Sequence, residues 1–139
     1  MLGELILIPP ESVNTAVHET NPAEQRPSST WKGLNEIQFA SLWSVIAGEP
    51  FSDDREKSIK VLTGRDGEVW VVTFPSEFLE IVRNLSDSES VSLSKKWSED
   101  EEFPWGWSEE IALNFIRDFV RFSIEAAKSG KTLIYYGSL

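Results

Sequence analysis

Ile111, Phe115, Phe119, Phe122 and Ala126 follow one another at intervals of four, four, three and four residues. A strand would scatter these side chains over two faces, whereas a helix of 3.6 residues per turn gathers them into one stripe. Ser108 stands before the run as a hydroxyl cap. Glu109 and Glu110 follow where the helix dipole favours negative charge, and Gly130 supplies the stop. Ile116, Val120 and Ala127 widen the stripe, while Arg117, Arg121, Glu125 and Lys128 lie opposite, spaced to pair in part along the helix. A helix this long with three phenylalanines on one side needs a broad apolar surface against it. Residues 132–136, rich in β-formers, read as a strand directly after Gly130. Tyr135 and Tyr136 would then face opposite sides, so one belongs to the core and the other is expected half-exposed.

The remaining elements are read the same way. Leu2 to Ile8 is an apolar run around Glu4, stopped by Pro9-Pro10, and reads as a strand. Residues 11–29 collect Asn, Thr, Pro, Ser and Gln with little apolar periodicity, which predicts a surface loop with at most one helical turn after Pro10. A loop of that length is either mobile or functional. Asn35 with Gln38 forms a capping box, Leu34 and Phe39 flank it as a staple, and Gly48 then Pro50 close the helix. Its predicted inner face carries Ile37, Leu42, Trp43 and Ile46. Residues 51–57 read as a charged connector.

Residues 59–62 and 69–74 are β-rich runs joined by Gly64-Arg65-Asp66-Gly67, which predicts a hairpin. Pro75 suits the first position of a short helix bearing Phe78, Leu79, Ile81, Val82 and Leu85. Ser86 and Glu89 make a second capping box, opening a helix with Val91, Leu93 or Ser94, and Trp97 inward. The order predicts one α+β domain spanning residues 1–139. Its small mixed sheet comprises an N-terminal strand, a central β-hairpin and a C-terminal strand, packed by about four helices.

Charge and composition remove several function classes. The chain carries 23 acidic against 13 basic residues, a net charge of −10. Sequence-independent nucleic-acid binding requires a basic surface, and anionic membranes repel an acidic one. Without cysteine there is no thiol redox chemistry, disulfide or cysteine-ligated zinc. No run approaches the roughly 20 apolar residues a membrane span needs, and Glu4 sits where a secretion signal would be positive. The cytoplasm is the expected compartment.

Motifs of catalysis are equally sparse. His18 is the single histidine and stands in the polar loop without a patterned neighbour, so an exposed loop residue is expected. An EF-hand counted from Asp87 puts Ser92 and Ser98 where glycine and glutamate are required. Asp53-Asp54 lacks a third spaced ligand, and no phosphate-binding glycine motif or nucleophile elbow occurs. No catalytic residue, metal ligand or cofactor is therefore assigned. Two carboxylates in a cleft would suffice for a hydrolase, and that class stays open as the alternative.

One segment is unusual. Glu99, Asp100, Glu101 and Glu102 run unbroken into Phe103-Pro104-Trp105-Gly106-Trp107. Residues 86–110 hold eight acids, two lysines and three of the six tryptophans. Carboxylates steer a basic partner, and tryptophan supplies anchoring area. The alternative is that Trp97, Phe103 and one of Trp105 and Trp107 plug the core at a corner, leaving the acids outside. A mixed outcome, with Trp107 inside and the acids exposed, still serves a partner. Glu99, Asp100, Glu101, Glu102, Trp105 and Trp107 are thus the candidate partner-binding residues.

The C-terminal half resembles the YfbM-like proteins, a bacterial family of unknown function. The likeness rests on the short helix ending at Leu85, the helix with Trp97, and the acidic stretch into Trp107-Ser108-Glu109-Glu110. The long helix ending Ala126-Ala127-Lys128-Ser129-Gly130 and the last strand complete it. It implies a small cytoplasmic α+β domain and brings no catalytic residues. The combined expectation is a non-enzymatic, acidic protein-binding module, for example one neutralising a basic toxin or nuclease.

Overall fold

The structure is a computed structural model describing residues 2–139. Five strands form one antiparallel sheet in the order β2-β1-β5-β4-β3, with β1 at Leu2–Ile8, β2 at Ser28–Lys32, β3 at Lys60–Gly64, β4 at Val69–Thr73 and β5 at Thr132–Ser138. Five helices accompany it: α1 (Glu36–Ala47), α2 (Asp53–Ser58), α3 (Ser76–Arg83), α4 (Asp87–Ser98) and α5 (Glu109–Ser129). The fold is α+β. No helix among the described residues is long and apolar enough to cross a membrane.

Local chemistry sets the helix boundaries. Asn35 and Gln38 exchange side-chain-to-backbone hydrogen bonds at the start of α1, as do Ser86 and Glu89 at α4. Gly48 and Gly130 adopt the left-handed conformation that ends α1 and α5. Ser52 caps α2, so the acids of the expected 51–57 connector sit in the first turn of a short helix. Pro75 stands one place earlier than expected, as the residue preceding α3.

The register sorts side chains into two cores. Leu5, Leu7, Val72, Leu133 and Tyr135 face the helices and meet Phe39, Phe74, Phe78, Phe115 and Phe119. Ile6, Ile8, Val69, Val71, Ile134 and Tyr136 point to the opposite face. There they are covered by residues of the expected surface loop, with Ala16 and Val17 buried and Val13 and Ala23 packed alongside. That overturns the loop reading of 11–29 in two respects. Two short 3-10 turns, Pro10–Ser12 and Ala16–His18, interrupt the segment, the second laying Ala16 and Val17 on the sheet, and Ser28 and Ser29 belong to β2. The same cover buries Tyr136 while the helices bury Tyr135, correcting the expectation of one half-exposed ring.

Smaller corrections follow from helix rotation. Ile111 and Val91 are exposed, and Ala127 lies outside the core, whereas Phe115, Phe119, Phe122 and Ala126 are buried as the stripe requires. Arg117 pairs across to Asp87 on α4 at 2.8 Å, and Arg121 pairs one turn back along α5 with Asp118 rather than with Glu125.

Candidate functional site

The acidic corner is the connection between α4 and α5. Lys95 and Lys96 occupy the last turn of α4, next to its negative dipole end, and Glu99 follows the helix as its cap residue. Two successive turns then reverse the chain: Phe103 N–H donates to the Asp100 carbonyl at 3.1 Å and Trp107 N–H to the Pro104 carbonyl at 3.2 Å. The Asp100 carboxylate accepts the Glu102 N–H at 2.9 Å, so this acid helps shape the turn. Gly106 has φ +82°, a left-handed conformation that a β-carbon would disfavour. Ser108 accepts the Ile111 N–H and starts α5.

Buried rings hold this connection in place. Trp97 is fully buried and donates its indole N–H to Ser41 on α1 at 2.9 Å. Phe103 meets Trp97 edge-on at 5.2 Å between centroids, and Trp107 lies 5.4 Å from Phe115 and 5.9 Å from Trp31. Pro104 is buried beside them. Trp105, between buried Pro104 and the Gly106 turn, is 92% exposed. The mixed arrangement is the one found. Glu99, Glu101 and Glu102 are exposed, Asp100 is half-exposed, Trp105 projects into solvent, and Trp107 is a core side chain that supports the loop.

The structure adds neighbours that the sequence concealed. Lys32, Gly33 and Gln38 line a cleft of about 340 Å³ together with Pro104, Trp105 and Trp107. They come from the end of β2 and the start of α1. The alternation of Ser29, Trp31 and polar neighbours was the available signal, submerged in a polar stretch.

Other candidates are placed elsewhere. His18 is exposed at the end of a 3-10 turn. Asp53 and Asp54 lie in the first turn of α2. Among the described residues no group of three or more His, Asp or Glu side chains is arranged to hold a metal ion. A cleft of about 370 Å³ gathers Glu49, Asp54 and Glu77 around Arg55 and Trp43. There Arg55 pairs with Glu49 at 2.8 Å and lies over the Trp43 ring at 5.8 Å. Glu4, whose carboxyl burial pushes above its usual range, sits on the sheet and does not line that cleft.

No family model, curated protein or solved structure matches this chain.

Proposed function

We propose that the protein is a non-enzymatic binding module whose 99–107 corner docks a basic protein partner, for instance a toxin or nuclease that it neutralises. The observation that carries this reading is the isolation of Trp105. A tryptophan left 92% exposed forgoes a large hydrophobic gain, and buried Trp97, Pro104 and Trp107 keep it from folding inward. An exposed ring in a loop of carboxylates has the composition of an anchor surrounded by steering charge. The net charge of −10 extends the same attraction over the molecule. A bacterial cytoplasmic setting, and kinship with the YfbM-like proteins, belong to this proposal as well.

The hydrolase alternative would use the cleft of Glu49, Asp54 and Glu77. A general acid there would need a carboxyl raised by its surroundings, and the geometry instead engages Glu49 with a cation. The deciding experiment is co-purification from native extract at low and high salt, using the wild-type chain, a variant with Glu99, Asp100, Glu101 and Glu102 replaced by amides, and Trp105→Ala. A basic protein retained at low salt, and lost by both variants, supports the reading. Equal retention by all three chains overturns it.

A further inference from the structure

The free edge of β2 leads straight to Trp105. Leu7 N–H donates to the Pro27 carbonyl at 3.0 Å, continuing the register in which Leu5 faces Ser29 and Gly3 faces Trp31. Bonded and non-bonded pairs alternate in an antiparallel ladder. Residues 27, 29 and 31 therefore turn their backbone groups to β1, and Ser28, Thr30 and Lys32 turn theirs outward. β2 is the last strand on that side of the sheet, and Ser28, Thr30 and Lys32 are all exposed. The Lys32 carbonyl is taken by the Tyr135 hydroxyl; the N–H and carbonyl groups of Ser28 and Thr30 face solvent.

Natural edges are guarded by proline, bulges or projecting charge. Within Ser28–Lys32 the one such device is Lys32, and its ammonium turns back towards Gly106, 3.2 Å from where a β-carbon would stand.

We infer that the basic partner docks by adding an extended, lysine- or arginine-bearing segment as a sixth strand along β2. This rests on the reading of Trp105 as its anchor. A strand laid along Thr30 runs past Gly33 into the cleft formed by Lys32, Pro104 and Trp105, where the aliphatic stem of a long basic side chain packs on the indole and carries its charge clear of the Lys32 ammonium. The exposed carboxylates of Glu99, Glu101 and Glu102 precede the ring in the same loop. A second copy of the chain is disfavoured as occupant, because each copy carries −10.

The test uses the full chain, a short peptide of alternating lysine and threonine at low salt, and amide hydrogen exchange read by NMR. The Ser28 and Thr30 amides are expected to slow about tenfold on peptide addition while the Trp105 indole signal shifts. Thr30→Pro removes an outward N–H without touching the ladder to β1, and should weaken binding about tenfold. A peptide N-methylated at alternate residues should lose as much against the wild-type chain, which keeps the test valid should the proline variant unfold. An indole shift with unprotected edge amides, and equal binding of the methylated peptide, overturns strand addition and leaves the anchor reading standing. Absence of both responses removes both. Edge protection without peptide, accompanied by a doubled mass in sedimentation, assigns the edge to a second copy and overturns the inference.

Discussion

The ring of Tyr135 lies across Gly3, in the space that any side chain at residue 3 would occupy. Trp70 lies in the same way over Gly137 on the neighbouring strand. These glycines leave floor space for two large rings on the helix-facing side of the sheet. Tyr135 continues to the chain leaving β2 and donates its hydroxyl to the Lys32 carbonyl. Burial raises the phenol pKa well above its usual range, which keeps that proton in place at any physiological pH.

Gly3→Ala should therefore destabilise the fold by about 1–3 kcal/mol, the usual cost of an overpacked site. Urea denaturation measures it, and a loss under about 0.5 kcal/mol would mean that the ring moves aside freely.

The Phe119 ring meets Phe39, Phe74, Phe78 and Phe115, all with centroids within 6 Å. Phe119→Ala should cost about 3–5 kcal/mol in the same assay. A near-neutral result would place the stripe of α5 outside the core.

Trp105 and Trp107 should separate cleanly. Trp107→Ala removes a ring packed on Trp31, Trp97 and Phe115 and should cost about 3–5 kcal/mol. Trp105→Ala should change stability by no more than about 0.5 kcal/mol. A large loss at Trp105 would make it structural and withdraw its role as an anchor.

How far the fold could be read in advance followed the range of the forces involved. Asn35 and Gln38, or Ser108 and Ile111, act within a turn of one another, so helix ends are written locally. The cover on the second sheet face is not. Val13, Ala16, Val17 and Ala23 reach Ile6, Val71 and Tyr136 from irregular turns, where no period advertises their common direction. A clue did exist: Leu5, Ile6, Leu7 and Ile8 run without alternation, as strands buried on both faces do. At the acidic corner, the charge and the rings were evident from composition. Which tryptophan points outward depended on two turns and a left-handed Gly106. Lys32 joined the site only through tertiary contact.

Val17→Ala tests that cover. Losing two buried methyl groups should cost about 1.5 kcal/mol. It should also speed cleavage by a glutamate-specific protease after exposed Glu24, in the turn that the Glu19–Arg26 pair closes at 2.6 Å. Unchanged stability and unchanged cleavage would show that the segment rests on the sheet without contributing to it.

The pH dependence has two opposed parts. Burial raises the Glu4 carboxyl, so the folded chain binds that proton more tightly, and stability falls as pH rises from the ordinary carboxylate range through the raised value. Glu19, Asp87 and Glu89 are held low by Arg26, Arg117 and Ser86 respectively. Their contribution is present above the unfolded carboxylate range and is lost as pH falls through the lowered values. Glu4→Gln should therefore raise the melting temperature at neutral pH while leaving the acid-side decline in place. A lower melting temperature at neutral pH would mean that the fold requires the ionised carboxylate.

The central place of β5 also bears on how the chain acquires its structure. The last strand in sequence is inserted between β1 and β4, pairing with both. During synthesis the first strand must wait for residues 132–138 to leave the ribosome before its inner edge is satisfied. Until then Leu5, Ile6, Leu7 and Ile8 form an apolar strand with an open side. Closing that gap joins residues more than a hundred positions apart, a slow, high-contact-order step that exposes the nascent chain to aggregation and to chaperones.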